Sequence, residues 1–354
     1  MKYPEASTVE NPINPDVAEA AGLAHDLGHP PFGHIAEEEL DSLVRAKGLA
    51  DGYEGNAQSF RIVARLASSD ATTIDGEPVD GLNLSRATLN GLLKYPWNAA
   101  SDKGKQKHKW GHYESERDIF NWTRQGSQIE RRSLIAEIMD WADDITFAIH
   151  DLLDFFAAGL IPIDRCKPCE QSVECESLLQ GILSRKGTQL GPENQVAASL
   201  YSIVDLFPFA PDQPFKGSRQ DYIALHGFGT SLITSYVNSI RLVQQSGQWI
   251  VDIDPGARRL VEVLKQFTWQ YVIFNPDLGS KQIGQRKAIR VVFKELLAAA
   301  EEGKLYLFPP LLRKDLKLGL DDPYTRVRIT SDCISGMTER ELTTFYRRLE
   351  GLAD

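Results

Sequence analysis

Three of the seven histidines in this 354-residue chain fall within ten positions, at His25, His29 and His34. Asp26 adjoins His25, and Glu37 follows His34 by three residues. Imidazole together with carboxylate is the donor set of a divalent first-row metal that keeps open positions for water or substrate. The flanking sequence predicts how these donors are presented. A helix capped by Asp16 runs to Asp26, Gly28 ends it, Pro30-Pro31 forbid its continuation, and a new helix starts near Gly33. A His-Asp pair at a helix end, followed by a rigid turn carrying more His, brings several donors to one small volume. For a lone histidine an ordinary polar loop is the plain alternative. Three histidines and two acids beside apolar helix would leave many polar groups at a buried edge unless a ligand satisfied them.

Further candidates lie downstream. Tyr53-Glu54-Gly55-Asn56-Ala57-Gln58 opens a helix to Leu66, with Asn56 as a plausible cap. Residues 69–81 read as a polar turn or short hairpin. Lys94 sits at the C-terminal end of a helix that Pro96 stops, where a cation suits the dipole. Lys103, Lys105, Lys107, His108 and Lys109 form a basic run of the kind usually found in solvated loops. A helix from Arg131 to about Phe156 carries Asp143, Phe147 and Asp151 at i, i+4 and i+8, on one face. A carboxylate among Ile, Ala, Trp and Phe is costly unless paired or metal-bound; for Asp151 a solvated face is an equal alternative. Cys166-Lys-Pro-Cys169 with Cys175 lacks the partner pair of a four-ligand zinc site and reads as a loop with free thiols.

His25-Asp26 resembles the doublet of the HD metallohydrolase superfamily. The longer string His25-Asp-Leu-Gly-His-Pro-Pro-Phe-Gly-His34 is similar to that of the dGTP triphosphohydrolase family within it. Glu54-Gly-Asn-Ala-Gln58, the segment around Lys109, Ala142-Asp-Asp-Ile145 and Ser331–Thr338 resemble further stretches of that family. The resemblance implies an all-α fold around a metal cleft and hydrolysis of a deoxynucleoside triphosphate, dGTP foremost, to deoxynucleoside and inorganic triphosphate. It implies a divalent ion (Mn, Mg or another first-row ion) held by His25, Asp26 and Asp143. His34 takes the acid/base or nucleophile-positioning role, and Glu37 orients it. Lys94 and Lys109 meet the triphosphate, Asp151 faces sugar or phosphate, and His29 either supports the metal ligands from behind or contacts phosphate.

Relatives are commonly homo-oligomers. They also carry a first metal His upstream of the doublet and a tyrosine where Phe147 stands, whereas no histidine precedes His25 here. A late start, a degenerate member or another group completing the site would each account for that. A non-catalytic nucleotide-binding subunit of the same fold is the alternative function. Another HD phosphohydrolase is a second one, against which the long His-Pro-Pro-Phe-Gly-His string argues. Arg326 and Arg328 are phosphate or core ion-pair candidates.

Hydrophobic residues at 42% and charged residues at 25% place the chain among globular proteins. A net charge of −10 argues against a coat for nucleic acid, and aromatic residues near the lysine run are limited to Trp97, Trp110 and Tyr113. A polyanionic substrate therefore needs a local basic pocket. No apolar run approaches the roughly 18 residues of a membrane span. There is no signal-peptide pattern, and four cysteines do not make a disulfide scaffold. A soluble cytoplasmic protein without a membrane partner is expected. The expected organisation is a metal-binding core over 1–160 and a helical region over 161–354 that completes the substrate pocket. Loops are expected at 205–218, 252–256, 275–281 and 308–324, with one small strand pair between Leu305–Leu307 and Val327–Ile329.

Overall fold

The computed structural model describes residues 13–72, 78–273 and 275–352. In chain order the helices and strands are α1 (Pro15–Ala24), α2 (His34–Ala46), α3 (Gly55–Arg61), β1 (Ser68–Thr72), β2 (Pro78–Asp80), α4 (Arg86–Leu92), α5 (Asp102–Lys107), α6 (Arg117–Thr123), α7 (Leu134–Ala157), α8 (Val173–Lys186), α9 (Glu193–Leu206), α10 (Arg219–Val237), β3 (Ile240–Gln245), β4 (Gln248–Ile253), α11 (Pro255–Tyr271), α12 (Pro276–Glu301), α13 (Pro310–Leu318), α14 (Pro323–Ser335) and α15 (Glu339–Leu349). Among the described residues the fold is all-α apart from two antiparallel hairpins, β1–β2 and β3–β4. Residues 73–77 of the expected 69–81 turn lie outside the described residues. No described helix is long and apolar enough to cross a membrane.

The chain forms two compact units whose boundaries fall at Met139/Asp140 and Ser280/Lys281, not at residue 160. In the unit of residues 140–280, Ile145, Ile149 and Leu152 of α7 join Leu178 and Ile182 of α8, Leu200 and Ile203 of α9, and Leu264 and Phe267 of α11 in one buried cluster. In the other unit, Ala36, Leu40 and Val44 form the inward stripe of α2. They share a core with Ile289, Val292 and Leu296 of α12 and Val327 and Ile334 of α14. Each fully buried Leu, Ile or Val contributes roughly 1.5–3 kcal/mol, so these stripes decide which face of α2 and α7 turns outward. Arg286 and Arg290 of α12 pair with Glu38 and Glu39 of α2 at the edge of that seam.

Several local expectations are corrected by cap chemistry. Asn14 rather than Asp16 caps α1, its Oδ1 accepting from the Asp16 N–H at 2.8 Å. Pro15 fills the first helical position, where its missing N–H costs nothing, and this moves the cap back by two residues. Glu54 rather than Asn56 caps α3, accepting from the Ala57 N–H at 3.0 Å. The basic run 102–107 is a short helix capped by Ser101, with Lys103 and Lys107 at 5.1 and 5.7 Å from the Trp97 ring. Residues 275–281 are not a loop: Asn275 caps α12 and Pro276 begins it. Helix α13 occupies most of the expected loop 308–324. The anticipated strand pair is absent, because Leu305–Leu307 is a 3-10 turn and Val327–Ile329 lies inside α14, which Asp322 caps. The hairpin β3–β4 was not anticipated; it is closed by Ser246 and Gly247, both at positive φ, a two-residue turn whose twist matches its strands. Cys169 and Cys175 are disulfide-bonded rather than free, with Cα atoms 5.4 Å apart. The Ser172 cap turns the chain into α8 between them. Cys166 and Cys333 are buried free thiols.

Candidate metal and catalytic site

The site is built around the turn between α1 and α2. His25 closes α1, and its Nδ1 lies 2.6 Å from the Gly22 carbonyl. A carbonyl only accepts, so Nδ1 carries a proton towards Gly22 and Nε2 is the nitrogen turned to Asp26. That Nε2 sits 3.2 Å from Asp26 Oδ2. A proton on Nε2, or a cation in its place, bridges the two atoms. Asp26 Oδ1 in turn lies 3.2 Å from His29 Nδ1. Burial opposes the charge on Asp26, yet His25 and His29 hold its carboxyl well below the usual carboxylate range. Burial likewise works against a charged His29, and Asp26 outweighs it and raises the imidazole pKa.

The turn is clamped to α3 by backbone contact. Gly28 N–H donates to Ser59 Oγ at 2.9 Å, the Ser59 hydroxyl donates to the His25 carbonyl at 2.6 Å, and Tyr53 OH donates to the Gly28 carbonyl at 2.7 Å. A Cβ on Gly28 would lie 2.2 Å from the Ser59 nitrogen, so this position accepts no side chain. Pro30 and Pro31 are buried, and Phe32 and Gly33 take positive φ to launch α2.

His34 opens α2 and its Nδ1 lies 2.9 Å from Glu37 Oε2. The His34 side chain is 69% exposed and that of Glu37 7%, so a buried carboxylate anchors an imidazole that reaches solvent. The His29 and His34 rings meet edge to face at 5.8 Å. Donor atoms of His29, His34 and Glu37 lie within 4.8 Å of one another. Glu37 Oε1 accepts from the Gly55 N–H at 3.1 Å and from Lys109 Nζ at 2.7 Å. Lys109 Nζ also lies 3.1 Å from Glu54 Oε1. Burial would raise the Glu37 pKa, but His34 and Lys109 hold it well below the usual range. Burial wins at Glu54, whose pKa is raised despite Lys109. For Lys109, burial opposes the charge and the two carboxylates raise its pKa.

One unit therefore brings together His25, Asp26, His29, His34, Glu37 and Lys109. Lys94 follows α4 half-buried, its carbonyl accepting from Arg132 Nε at 2.6 Å. Asp143 and Asp151 stand partly buried on α7 in the other unit, with Phe147 exposed between them. Asp144 is tied to Lys265 at 2.8 Å, and His150 is exposed. Burial, then Asp154, pushes the Asp151 pKa up to about 6. Arg328 pairs with Asp51 at 2.7 Å and lies 3.5 Å over the Tyr113 ring. Arg326 donates to the Leu320 carbonyl. Sequence reasoning missed the buried triad in which Arg61 is held by Glu116 and Asp332, with Gln58 on the same Asp332. It also missed Glu54 as the second carboxylate on Lys109, for which the helix start at Gly55 was the available signal.

A His-Asp doublet closing one helix, with further His and Glu on the next, on an all-helical scaffold, defines an HD-type hydrolase site. Residues 3–148 match the HD domain, and residues 251–348 match the phosphohydrolase-associated domain. The chain is 34% identical to a deoxyguanosinetriphosphate triphosphohydrolase-like protein of Corynebacterium efficiens, over 96% of this chain and 79% of that protein. It is 31% identical to a protein of the same description from Streptomyces coelicolor, over 96% and 78% of the two chains. A Bifidobacterium longum protein of that description is 40% identical over 64% of this chain and 46% of its own length. The chain belongs to the deoxyguanosinetriphosphate triphosphohydrolase-like family of HD-domain phosphohydrolases.

Proposed function

We propose that this protein is a metal-dependent hydrolase of deoxynucleoside triphosphates, dGTP foremost, that releases deoxynucleoside and inorganic triphosphate. The observation that carries the reading is the His25–Asp26 pair, whose Nε2 and Oδ2 lie 3.2 Å apart while Nδ1 is turned to the Gly22 carbonyl. Such a pair of donors fits a divalent first-row ion, and the Gly22 carbonyl supplies the outer hydrogen bond that fixes a metal-binding imidazole. By the family resemblance His25, Asp26 and Asp143 would hold the ion. When bound, it supplies Lewis-acid stabilisation of charge on the α-phosphate and a water of lowered pKa.

The remaining roles fall to the side chains. The bond between the deoxyribose 5′ oxygen and the α-phosphorus breaks, water oxygen ends on the triphosphate, and a proton ends on the 5′ oxygen. With Nδ1–H donated to Glu37, His34 presents Nε2 as the proton acceptor, and the buried carboxylate stabilises the imidazolium that results. Lys94 and Lys109 neutralise the triphosphate, His29 touches it from the turn, and Asp151 orients the sugar.

The test is product analysis with each deoxynucleoside triphosphate in Mn²⁺ or Mg²⁺. Free triphosphate, lost in Asp143→Ala and His34→Ala, is the expected result. Orthophosphate as the product would point to another HD phosphohydrolase activity. Absence of turnover by metal-loaded protein would overturn the catalytic reading in favour of a nucleotide-binding subunit.

A further inference from the structure

A cavity of about 1040 Å³ lies between the chain leaving α2, the stretch around Lys105, the turn at Glu114, α13 and α14, and no residue of the His25–Glu37 stretch lines it. Its volume is that of a small-molecule site. Arg328 lines it and is itself 5% exposed. Its guanidinium is stacked over Tyr113, and one terminal nitrogen is committed to Asp51. The other, Nη1, is buried and finds no hydrogen-bond partner in the protein. A buried charged donor left unmade is expensive, and natural proteins keep one where something else supplies the acceptor.

Of the other lining cations, Arg45 is paired with Asp41 and Arg61 with Glu116 and Asp332, which leaves Arg65 and Lys105. Arg65 is 42% exposed on its side chain, and its nearest carboxylate, Glu116, is 4.0 Å away and already engaged by Arg61. Lys105 stands exposed at the rim. Of the lining acids, Asp51 is consumed by Arg328 and the Glu114 N–H, Asp322 by the cap of α14, and Glu114 by Arg117, which leaves Asp315. The lining also has an apolar part: Tyr324, one turn from Arg328 on α14, is 56% exposed, and Leu318 is 79% exposed.

We propose that this cavity is a second ligand site, separate from the His25–Glu37 turn, for a small phosphate monoester with a planar, largely apolar body. The phosphate oxygens lie against Arg328 Nη1, Arg65 and Lys105, whose planar forks and point charge suit a dianion. The flat body lies on Tyr324 and Leu318. A carboxylate would leave one of the three cations unmatched, which is why a dianionic head is favoured.

Phenyl phosphate and inorganic phosphate are the probes, titrated calorimetrically into the full chain in EDTA so that no metal assists binding elsewhere. Saturable binding of one equivalent of phenyl phosphate is expected. It weakens at least tenfold in Arg65→Glu/Lys105→Glu and is unchanged within twofold in Lys94→Ala. Tyr324→Ala should weaken phenyl phosphate while leaving inorganic phosphate alone, and its exposed position leaves the fold intact. Three results overturn the proposal: no saturable binding to the wild type, equal binding in the charge-reversed variant, or binding abolished by Lys94→Ala.

Discussion

Lys109 is the most informative residue to remove, because the structure gives it two partners that cannot follow it into solvent. Its Nζ lies 2.7 Å from Glu37 and 3.1 Å from Glu54, whose side chains are 7% and 1% exposed. Lys109→Met keeps most of the packing volume and deletes the charge. Breaking a buried pair costs about 3–5 kcal/mol, and because Lys109 itself is 29% exposed the lower end, roughly 3 kcal/mol, applies. For a unit of this size about 1 kcal/mol moves the melting temperature by about 2–4 °C, so a fall of roughly 10 °C is expected near neutral pH. The sign of the pH dependence is also fixed. Glu54 already has a raised pKa through burial, and losing Lys109 raises it further. A carboxyl with a raised folded pKa is stabilising below its ordinary value and loses that contribution as pH climbs through the folded value. The deficit of the variant should therefore shrink on acidification and deepen towards alkaline pH. Near-UV circular dichroism melts across pH, with Glu54→Gln added to the same background, measure both effects, and the added change should restore part of the loss. A melting temperature within about 2 °C of wild type, or a deficit indifferent to pH, would refute the placement of Lys109 as the clamp and leave it a phosphate contact alone.

Other substitutions test other parts of the site. Gly28→Ala drives a Cβ to 2.2 Å from the Ser59 nitrogen; backbone must move, and a loss of about 3 kcal/mol or more in urea unfolding is expected. Asp151, with its pKa pushed up to about 6 by burial and Asp154, costs stability as pH rises from its ordinary 3.8 through that value. Asp151→Asn should flatten that slope and gain on the order of 2 kcal/mol above it, after discounting for partial exposure; an unchanged pH profile of the melting temperature would count against it. His25→Ala should weaken Mn²⁺ binding, followed by loss of the free-ion paramagnetic resonance signal, by roughly a hundredfold. Equal binding by the variant would remove His25 from the metal set.

The turn from His25 to His34 was legible because its punctuation is local. Gly28, Pro30-Pro31 and Gly33 fix where one helix stops and the next begins, and the three-residue step from His34 to Glu37 needs nothing but helical geometry. What holds that turn in place was not legible, since Ser59 and Tyr53 act on it through backbone atoms and Lys109 reaches Glu37 across 72 positions. Charge pattern alone placed the basic run in a loop, whereas Ser101 and the Trp97 ring make a helix of it. The loop expected at 275–281 is instead the start of α12, because Asn275-Pro276 can begin a helix as well as end one. The β3–β4 hairpin carried its signal in Ser246-Gly247, hidden by the helical sequence on either side.

Helix α3 is seven residues long and serves two sides at once. Ser59 holds the His25–Gly28 turn and the Gly55 N–H donates to Glu37 of α2, while Gln58 and Arg61, three apart, grip Asp332 of α14. Two turns of helix contain no hinge, so this element behaves as a party wall. A displacement of Arg61, which borders the large cavity, would be carried along α3 to the Gly28 seam behind the His25–Asp26 pair.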